Sequence, residues 1–481
     1  MFFRTWPVAS FQPGFAFSKK SIHEKNDYGD PTRGPLYPST TEVEKLSANP
    51  SNPDQQSRWK STVQVASLTD IGMRRAINQD SMKVVLAESA AVWERQGHLF
   101  VVADGMGAHA AGELASKLAV DLVPLNYSKY RDMPPAEALH RAVTETNAEI
   151  YRRGHATIEF RSMGTTCSTL ALLPEGAVLA HVGDSRVYML SGDRLYQLTF
   201  DHSLVWEMQA AGRVSEEAAR SGVIPKNVIT RSLGPNAAVQ VDLEGPFPVR
   251  MGDRFLLCSD GLSGQITDEE IATILKLLPP QEAAQLFIDL SNLRGGPDNI
   301  TALVIEATGS EIVSQLPNSV MPEPANQPKS FSRALGIVAG VCLLAAVALG
   351  LLGQWPLAVV TSLLGAVALV TGIVQVYWTP PAQQSEATRY GEGPYRQFQA
   401  KAAEPLFEHL TATMKQLREA AEEHDWTIAW TELEKEFSEA CRLADAKNYA
   451  DAMRKQARVV IELLRQIRNQ RGNASDSQSA G

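Results

Sequence analysis

The pattern of hydrophobic and polar positions divides the chain into regions of different character. Residues 61–308 alternate short apolar runs, typical of strands, with amphipathic stretches of helical period. The predicted strands lie at 63–66, 83–86, 98–103, 165–173, 177–183, 185–190, 254–258 and 299–306. The predicted helices lie at 111–122, 135–153, 203–212, 267–277 and 280–293. Turn signals between paired strands favour antiparallel sheets, and the pairs of helices favour layered packing of helices on sheets.

Two long apolar runs follow, at residues 334–352 and 357–376, and neither contains a charged residue. Each is about 20 residues long, which at about 1.5 Å per residue spans a bilayer interior of about 30 Å. The pattern predicts a transmembrane helical hairpin over residues 333–378, with a hairpin buried in a soluble core as the alternative. Basic residues on both outer flanks favour a cytoplasmic location for both. We therefore expect a multi-pass protein of the cell inner membrane.

The remaining segments carry weaker patterns. Residues 1–60 and 473–481 lack periodic hydrophobicity, and we predict that both are disordered. Residues 309–332 contain several prolines and predict a linker. Residues 388–472 carry apolar stripes of helical period and predict a small all-α region. Such stripes are more typical of a helical bundle than of a ligand pocket.

Charge and cysteine content narrow the possible function classes. The formal net charge is -9 and no long basic run offsets it, which argues against a nucleic-acid partner. The four cysteines are scattered and form no C-x-x-C pair, so the sequence predicts neither a zinc site nor a redox couple. They are expected to be small buried apolar residues in a reducing compartment.

Candidate chemistry lies in short segments that place an acidic residue beside the end of a predicted strand. The segments are Arg75-Ala-Ile-Asn-Gln-Asp80, Asp104-Gly-Met-Gly107, Gly183-Asp-Ser-Arg186, Ser259-Asp-Gly261 and Gly296-Pro-Asp-Asn299. An apolar strand that runs directly into an aspartate is unfavourable unless the carboxylate finds a cation or a hydrogen-bond donor. A single Asp-Gly pair is more typical of a structural turn, so the interpretation rests on the whole set.

The ligand types in this set predict the type of metal. Carboxylate and carbonyl oxygens without sulfur suit hard cations such as Mg²⁺ or Mn²⁺. Two such ions about 4 Å apart can share a water and activate it for attack on phosphorus. Arg75 can hold a phosphate with the parallel donors of its guanidinium.

In their order along the chain, these segments resemble the PPM-type metal-dependent protein phosphatases, the type 2C family, in its bacterial form. The resemblance covers residues 61–307 and includes further stretches. They are Asp104-Gly-Met-Gly-Ala-His-Ala-Ala-Gly-Glu113, Met163-Gly-Thr-Thr166, Arg231-Ser-Leu-Gly234 and Leu256-Leu-Cys-Ser-Asp-Gly-Leu262. It implies an α+β fold, a four-layer α-β-β-α sandwich with the metals at one end. Two transmembrane helices and a small all-α region are expected to follow that sandwich.

The resemblance also implies roles for individual residues. The implied ligands of two Mg²⁺ or Mn²⁺ ions are Asp104, the Gly105 carbonyl, Asp260 and Asp298. Asp104 would bridge both ions, and Asp184 would complete a third metal site with Asp260. Asp80 would orient the metal-bound water without binding metal, and Arg75 would bind the substrate phosphate.

A few positions depart from the family pattern. Gln79 stands where many members have Glu, which removes one carboxylate near the predicted water. Gly107-Ala108 replaces a pair of glycines, and Met106 stands where animal members carry a proposed histidine acid. His109 is a candidate proton donor, although a structural histidine is the favoured interpretation.

Residues 201–234 resemble the flap that stands beside the active site in this family. The stretch contains Gly212 and Gly222 and an amphipathic helical pattern at 214–220. Its length predicts a mobile element that helps to admit substrate, with simple helix packing as the alternative.

The sequence thus predicts hydrolysis of phosphoserine and phosphothreonine in proteins by metal-activated water. The resemblance implies that the partners are phosphoproteins, which a bacterial serine/threonine kinase has phosphorylated. The apolar runs predict a membrane contacted by residues 334–376. A pseudophosphatase that only binds phosphoproteins is one alternative, although the predicted inner metal ligands are all retained. A signalling scaffold centred on residues 388–481 is the other.

Overall fold

The structure is a computed structural model of the chain. It describes residues 59–108, 110–161, 163–215, 218, 224–225, 228–315, 321–322, 333–377, 389–400 and 403–479. Four predictions fall wholly or mainly outside these residues: the disorder of residues 1–60, the linker at 309–332, the role of His109 and the helix at 214–220.

Strands form where branched and aromatic residues run together or alternate with polar ones. They are β1 (Val63–Asp70), β2 (Asp80–Val85), β3 (His98–Met106), β4 (Gly164–Thr165), β5 (Cys167–Leu173), β6 (Gly176–Val182), β7 (Arg186–Ser191), β8 (Arg194–Gln197), β9 (Asp242–Phe247), β10 (Arg254–Cys258), β11 (Ile300–Ala307) and β12 (Arg396–Gln399). One sheet has the order β1-β11-β10-β7-β8-β12, and the other has β2-β3-β5-β6-β9 with β4 paired to β3. The neighbouring strands pair antiparallel, as predicted.

Several helices begin at recognisable capping signals. They are α1 (Ala90–Gln96), α2 (Ala111–Lys129), α3 (Pro135–Gly154), α4 (Leu204–Ala210), α5 (Asp260–Ser263), α6 (Asp268–Leu277), α7 (Pro280–Leu293), α8 (Arg333–Leu351), α9 (Trp355–Tyr377), α10 (Glu404–Glu423), α11 (Trp430–Asp445) and α12 (Tyr449–Ser479). Ser203 caps α4 by accepting from the Trp206 N–H, and Thr267 starts α6 in a reciprocal capping box with Glu270. A proline is the first residue of both α3 and α7.

The two sheets pack face to face over one apolar layer. Phe100 and Leu170 of the second sheet and Phe255 and Leu303 of the first are fully buried members of this layer. A separate apolar cluster lies beneath α2 and α3, and another beneath α6 and α7. This arrangement gives the predicted α-β-β-α layers.

Residues 309–315 pack against the sandwich, although they were predicted as the start of a linker. The Gly309 N–H donates to the Thr62 carbonyl at 2.9 Å, and Ile312 in the short 3₁₀ helix Ser310–Ile312 is 0% exposed. The buried Ile312 side chain and the hydrogen bonds from the Ser314 and Gln315 N–H groups to the carbonyls of Val249 and Pro174 hold this short segment in place.

The predicted all-α character of residues 388–472 is wrong at its beginning. Residues Arg396–Gln399 form β12, which pairs with the edge strand β8 of the first sheet. A four-residue strand carries too little periodicity to be recognised, and it forms because β8 offers unpaired backbone groups. The predicted disorder of residues 473–481 is contradicted over residues 473–479, since α12 continues to Ser479.

Helices α10, α11 and α12 pack together and onto the sandwich. Leu410 of α10 and Val460 of α12 are 0% exposed and belong to the same apolar cluster as Phe287 of α7. The Arg454 side chain of α12 donates to the Leu277 carbonyl at 2.9 Å. The predicted apolar stripes are therefore confirmed, and part of their cover comes from the sandwich.

Helices α8 and α9 occupy the two apolar runs and pack against each other. Within the part of the chain that the structure describes, no helix combines the length and apolar character that a membrane crossing requires. The predicted pair of transmembrane helices is therefore not confirmed.

Candidate active site

The predicted carboxylates lie at the ends of strands or in the turns that follow them. Asp80 begins β2 and pairs in register with Asp104 near the end of β3. Asp184 follows β6 after one glycine, and Asp260 begins α5 two residues after β10. Asp298 lies in the turn before β11. The antiparallel order of both sheets brings these positions to one end of the sandwich.

Asp80 is held by two hydroxyl groups from the neighbouring sheet. The hydroxyls of Ser259 and Thr301 each donate to Asp80 Oδ2 at 2.7 Å. Burial raises the pKa of Asp80 to about 7 even though both hydrogen bonds lower it, and the charges of Asp260 and Asp298 raise it further. The carboxyl group is therefore fixed in orientation and strongly affected by the negative charge around it.

Asp104 lies at the centre of the acidic cluster. Removal from water raises its pKa well above the usual range, with added repulsion from Asp80, Asp260, Asp184 and Asp298 in that order. Its side chain shares a hydrogen bond with Asp260, whose own pKa is raised to about 6 by burial and by Asp298. Two carboxylates in this position cannot both be charged at neutral pH without a compensating cation.

Asp184 is nearly buried beside this cluster. Burial raises its pKa to about 8, followed by the charges of Asp260 and Asp201. The preceding Gly183 has φ near 117°, which favours glycine. His202 fixes this glycine twice, because its backbone N–H donates to the Gly183 carbonyl at 2.8 Å and its Nδ1 accepts from the Gly183 N–H at 3.0 Å.

Asp298 and Arg75 form an ion pair. The Arg75 Nη2 atom lies 2.7 Å from Asp298 Oδ2, and the arginine side chain is 47% exposed. Asn299 anchors the loop that carries Arg75: its Nδ2 donates to the carbonyls of Ile71 and Ile77, and its Oδ1 accepts from the Gln79 N–H at 2.9 Å. The guanidinium is thus placed at the cleft by a constrained loop.

Gly105 has no room for a side chain. A Cβ atom there would lie 2.1 Å from the Gly112 carbonyl oxygen and 2.6 Å from the Gln79 carbonyl oxygen. The N–H of Gly105 donates to that Gln79 carbonyl at 3.1 Å. Gln79 therefore contacts Gly105 through its backbone carbonyl. The presence of Gln in place of the family's Glu does not change that contact.

The acidic cluster fits hard divalent cations. Asp80 Oδ1, Asp184 Oδ1 and Asp260 Oδ1 are buried, and they have no hydrogen-bond partner among the described residues. Buried polar atoms are rarely left without a partner, and these are oxygens of the kind that Mg²⁺ and Mn²⁺ bind. Within the described residues, no three His, Cys, Asp or Glu side chains are already arranged as a metal site. The individual metal ligands therefore stay predictions.

Several supporting residues were not predicted. Ser259 and Asn299 lie inside segments that the sequence singled out, so their proximity to Asp260 and Asp298 was a usable signal. Thr301 and His202 carried no signal, because the groups that they bind are distant in sequence or are backbone atoms.

Comparison with known proteins points to one family. A family model described as "Protein phosphatase 2C" matches residues 74–293. The serine/threonine phosphatase stp of Listeria innocua is 37% identical over 245 residues, which cover 50% of this chain and 93% of that protein. Protein phosphatase PhpP of Streptococcus pneumoniae is 34% identical over 249 residues, which cover 50% of this chain and 97% of that protein.

Solved structures give matches over the same share of the chain. The Mycobacterium tuberculosis serine/threonine phosphatase PstP/Ppp is 32% identical with a TM-score of 0.45, and the match covers 51% of this chain and 99% of that one. The catalytic domain of PstP in complex with two manganese ions is also 32% identical, with a TM-score of 0.43 and coverage of 51% and 99%.

Proposed function

Since the chain belongs to the protein phosphatase 2C family and is a protein serine/threonine phosphatase, we propose that it releases phosphate from phosphoserine and phosphothreonine with the help of two divalent cations. The proposed ligands are Asp104, the Gly105 carbonyl, Asp260 and Asp298, with Asp184 and Asp260 holding a third ion. Mg²⁺ and Mn²⁺ both suit these oxygen donors.

One observation supports this proposal above the others. Four aspartates at one end of the sandwich have raised pKa values because they are removed from water and repel one another. Such a cluster is unfavourable in an empty protein and favourable once cations neutralise it. The crowding of these carboxylates, and the buried Oδ1 atoms of Asp80, Asp184 and Asp260 that lack a hydrogen-bond partner among the described residues, therefore support a site whose function requires bound cations.

The chain's own residues have separate roles in the proposed reaction. Two bound cations would supply an activated water and would stabilise charge on the phosphoryl oxygens. Arg75 binds the phosphate, since its half-exposed guanidinium retains donors beyond the one on Asp298. Asp80, fixed by Ser259 and Thr301, orients the attacking water. The loop from Ile71 to Gln79 keeps Arg75 at the required place.

The direct test is phosphate release from a phosphothreonine peptide by the purified full chain. We expect release with Mn²⁺, a weaker or equal rate with Mg²⁺, and no release with EDTA. The metal-binding step can be followed separately through the melting temperature, because a ligand that binds only the folded state raises it.

Two outcomes would contradict the proposal. Release that persists in EDTA would exclude the cation-dependent reaction. A protein whose melting temperature rises with Mn²⁺ but that releases no phosphate would support the alternative of a binding module.

The proposed substrates are phosphoproteins, and a bacterial serine/threonine kinase is the proposed source of their phosphate groups. The support is the family membership, because the relatives named above are serine/threonine phosphatases. The net charge of -9 opposes a nucleic-acid partner.

Attachment to a cell inner membrane, with the sandwich and the C-terminal helices both facing the cytoplasm, is a further part of the proposal. Its support is the apolar surface of α8 and α9. Large apolar side chains point outward along both helices, among them Leu344, Leu351 and Leu363, and Leu351 is 85% exposed. Water-exposed apolar surface of this extent favours contact with lipid.

We expect the full chain to remain with the membrane fraction after a high-salt wash and to be released by detergent. A variant in which a Gly-Ser linker replaces residues 333–377 is expected in the soluble fraction, with its phosphatase activity retained. Recovery of the unaltered chain in the soluble fraction would overturn this part of the proposal.

A further inference from the structure

Residues 389–400, here called the strap, join the C-terminal region to both sheets of the sandwich. β12 of the strap pairs with β8, the edge strand of the first sheet, with Arg396 opposite Gln197. Tyr390 of the strap exchanges two backbone hydrogen bonds with Gly245 in β9, the edge strand of the second sheet. The strap therefore connects the two sheets along one open side. It lies outside the residues matched by the family model.

The strap is fixed by a buried carboxylate. Glu244 of β9 is 2% exposed, and it accepts hydrogen bonds from the Gly393 N–H at 2.8 Å and from the Tyr395 hydroxyl. Gly391 has φ of 68°, and a Cβ atom there would lie 2.1 Å from Glu244 Oε2. Only glycine fits this position, so the strap follows one defined path over β9.

The strap then contacts the base of the flap. The Arg396 guanidinium carbon lies 3.8 Å from the centre of the Trp206 ring, and Arg396 Nη2 donates to Gln209 Oε1 at 3.3 Å. Both partners belong to α4, the first helix of the flap region. The Tyr395 ring meets Phe200 edge-on at 5.4 Å, and Phe200 meets Trp206 in the same way at 5.7 Å.

The base of the flap is in turn joined to the acidic cluster. Arg186 lies 5.4 Å from the same Trp206 ring and forms a 2.7 Å ion pair with Asp201. The next residue, His202, fixes Gly183 by two hydrogen bonds, and Gly183 precedes Asp184. A continuous series of contacts thus runs from Arg396 through Trp206 and Asp201 to the loop that carries Asp184.

We propose that Arg396 is a positioning residue that holds α4, the described base of the flap, in place for protein substrates, and that the strap couples the C-terminal region to the active site. The guanidinium stacks on Trp206 and bonds Gln209, so it fixes both the angle and the position of α4. A lysine cannot reproduce a planar stack together with a directed hydrogen bond. The inference rests on the proposed phosphatase function, because the flap has a role only if substrate enters beside it.

The test compares two substrates in the full chain with Mn²⁺. A phosphothreonine peptide extends beyond the cleft and can touch the flap, whereas p-nitrophenyl phosphate is too small to do so. Arg396→Ala is expected to lower kcat/KM for the peptide about fivefold, mainly through KM, and to change that for p-nitrophenyl phosphate less than about twofold. Arg396→Lys is expected to show most of the same loss in kcat/KM for the peptide.

Trp206 allows a check that the two residues act together. Trp206→Phe retains an aromatic face and is expected to keep much of the peptide activity. The double variant with Arg396→Ala and Trp206→Phe is expected to be no worse than Arg396→Ala alone, because the stack is already lost. Additive losses would mean that Arg396 acts by another route.

The matched control is Arg442→Ala, which removes an exposed arginine of α11 whose ion pair among the described residues is with Glu439, one turn away. It is expected to match the unaltered chain on both substrates.

Equal losses on both substrates in Arg396→Ala, or no loss on the peptide, would overturn the inference. If Arg396→Ala melts several degrees lower, Arg396→Gln supplies the same comparison with the stem retained. Failure of the unaltered chain itself on both substrates would instead contradict the proposed function.

Discussion

Replacing Asp104 with asparagine is expected to lower phosphate release by at least about a thousandfold while leaving the fold intact. One carboxylate oxygen becomes an amide group that cannot bind a cation. The same change removes a negative charge from a cluster that includes Asp80, Asp184 and Asp260. In EDTA the variant should therefore melt at the same temperature as the unaltered chain or higher, because repulsion is relieved. The measurements are the peptide assay and thermal melting with and without Mn²⁺.

The melting experiment separates a metal ligand from a merely structural residue. Mn²⁺ should raise the melting temperature of Asp104→Asn less than that of the unaltered chain, since fewer ligands remain. Asp132→Asn makes the same chemical change at a side chain that is 83% exposed and lies 3.7 Å from Arg95. This control should behave as the unaltered chain. Substantial turnover by Asp104→Asn would refute the metal assignment.

Arg468→Ala is expected to destabilise the protein by roughly 2–3 kcal/mol. Arg468 of α12 forms an ion pair with Asp289 of α7, whose side chain is 0% exposed. The remaining described donor to Asp289 is Gln285 Nε2 at 3.0 Å, so the variant leaves a buried carboxylate without its cation. The measurement is urea-induced unfolding of the full chain, followed by tryptophan fluorescence.

The loss should depend on pH with a defined sign. Burial raises the pKa of Asp289 above its usual value, and the charge of Arg468 opposes that rise. Without Arg468 the pKa rises further, so the folded state is penalised while the carboxylate is charged. The deficit should be larger at about pH 7.5 than at about pH 5.5, where the buried group can bind a proton.

Arg465 provides a matched control on the same helix. Its side chain is 64% exposed and pairs with Glu462 at 2.8 Å, so Arg465→Ala is expected to cost no more than about 0.5 kcal/mol. A similar loss in both variants, or a deficit that does not diminish at lower pH, would show that Asp289 does not depend on Arg468.

The central strands of the fold were predictable because they are apolar over most of their length. Strands such as Cys167–Leu173 and Ile300–Ala307 are buried on both faces, since they lie between a helix layer and the opposite sheet. Such apolar runs can be recognised as strands from the local sequence alone. The acidic residues at their ends gave the candidate site, because a carboxylate after an apolar strand requires a partner.

β9 shows why other elements were missed. Its sequence contains Glu244-Gly-Pro246, which is typical of a turn, yet it forms a strand. The charge of Glu244 is accommodated by Gly393 and Tyr395, which lie about 150 residues further along the chain. No local pattern can reveal such a contact, and tertiary packing overrides the local preference.

The packing of the C-terminal helices on the sandwich was missed for a different reason. The apolar stripes through Leu410 and Val460 correctly predicted helices. A stripe shows that one face of a helix is buried, but it does not show which element buries it. Part of the cover is α7 of the sandwich, which was itself predicted correctly at Pro280–Leu293. To predict that two such helix faces pack together, one must know the path of the chain between them, and that path includes the strap.

The strap also has a consequence for self-association. In the full chain the backbone of β8 is paired with β12, and the new edge of the sheet is only four residues long and includes Arg396. Short edge strands with a charged residue resist pairing with other molecules. A fragment that ends at residue 308 has no such cover, and it leaves β8 open beside the buried Leu195. Such a fragment is prone to aggregate through strand pairing, from which the intact chain is protected by its own C-terminal segment.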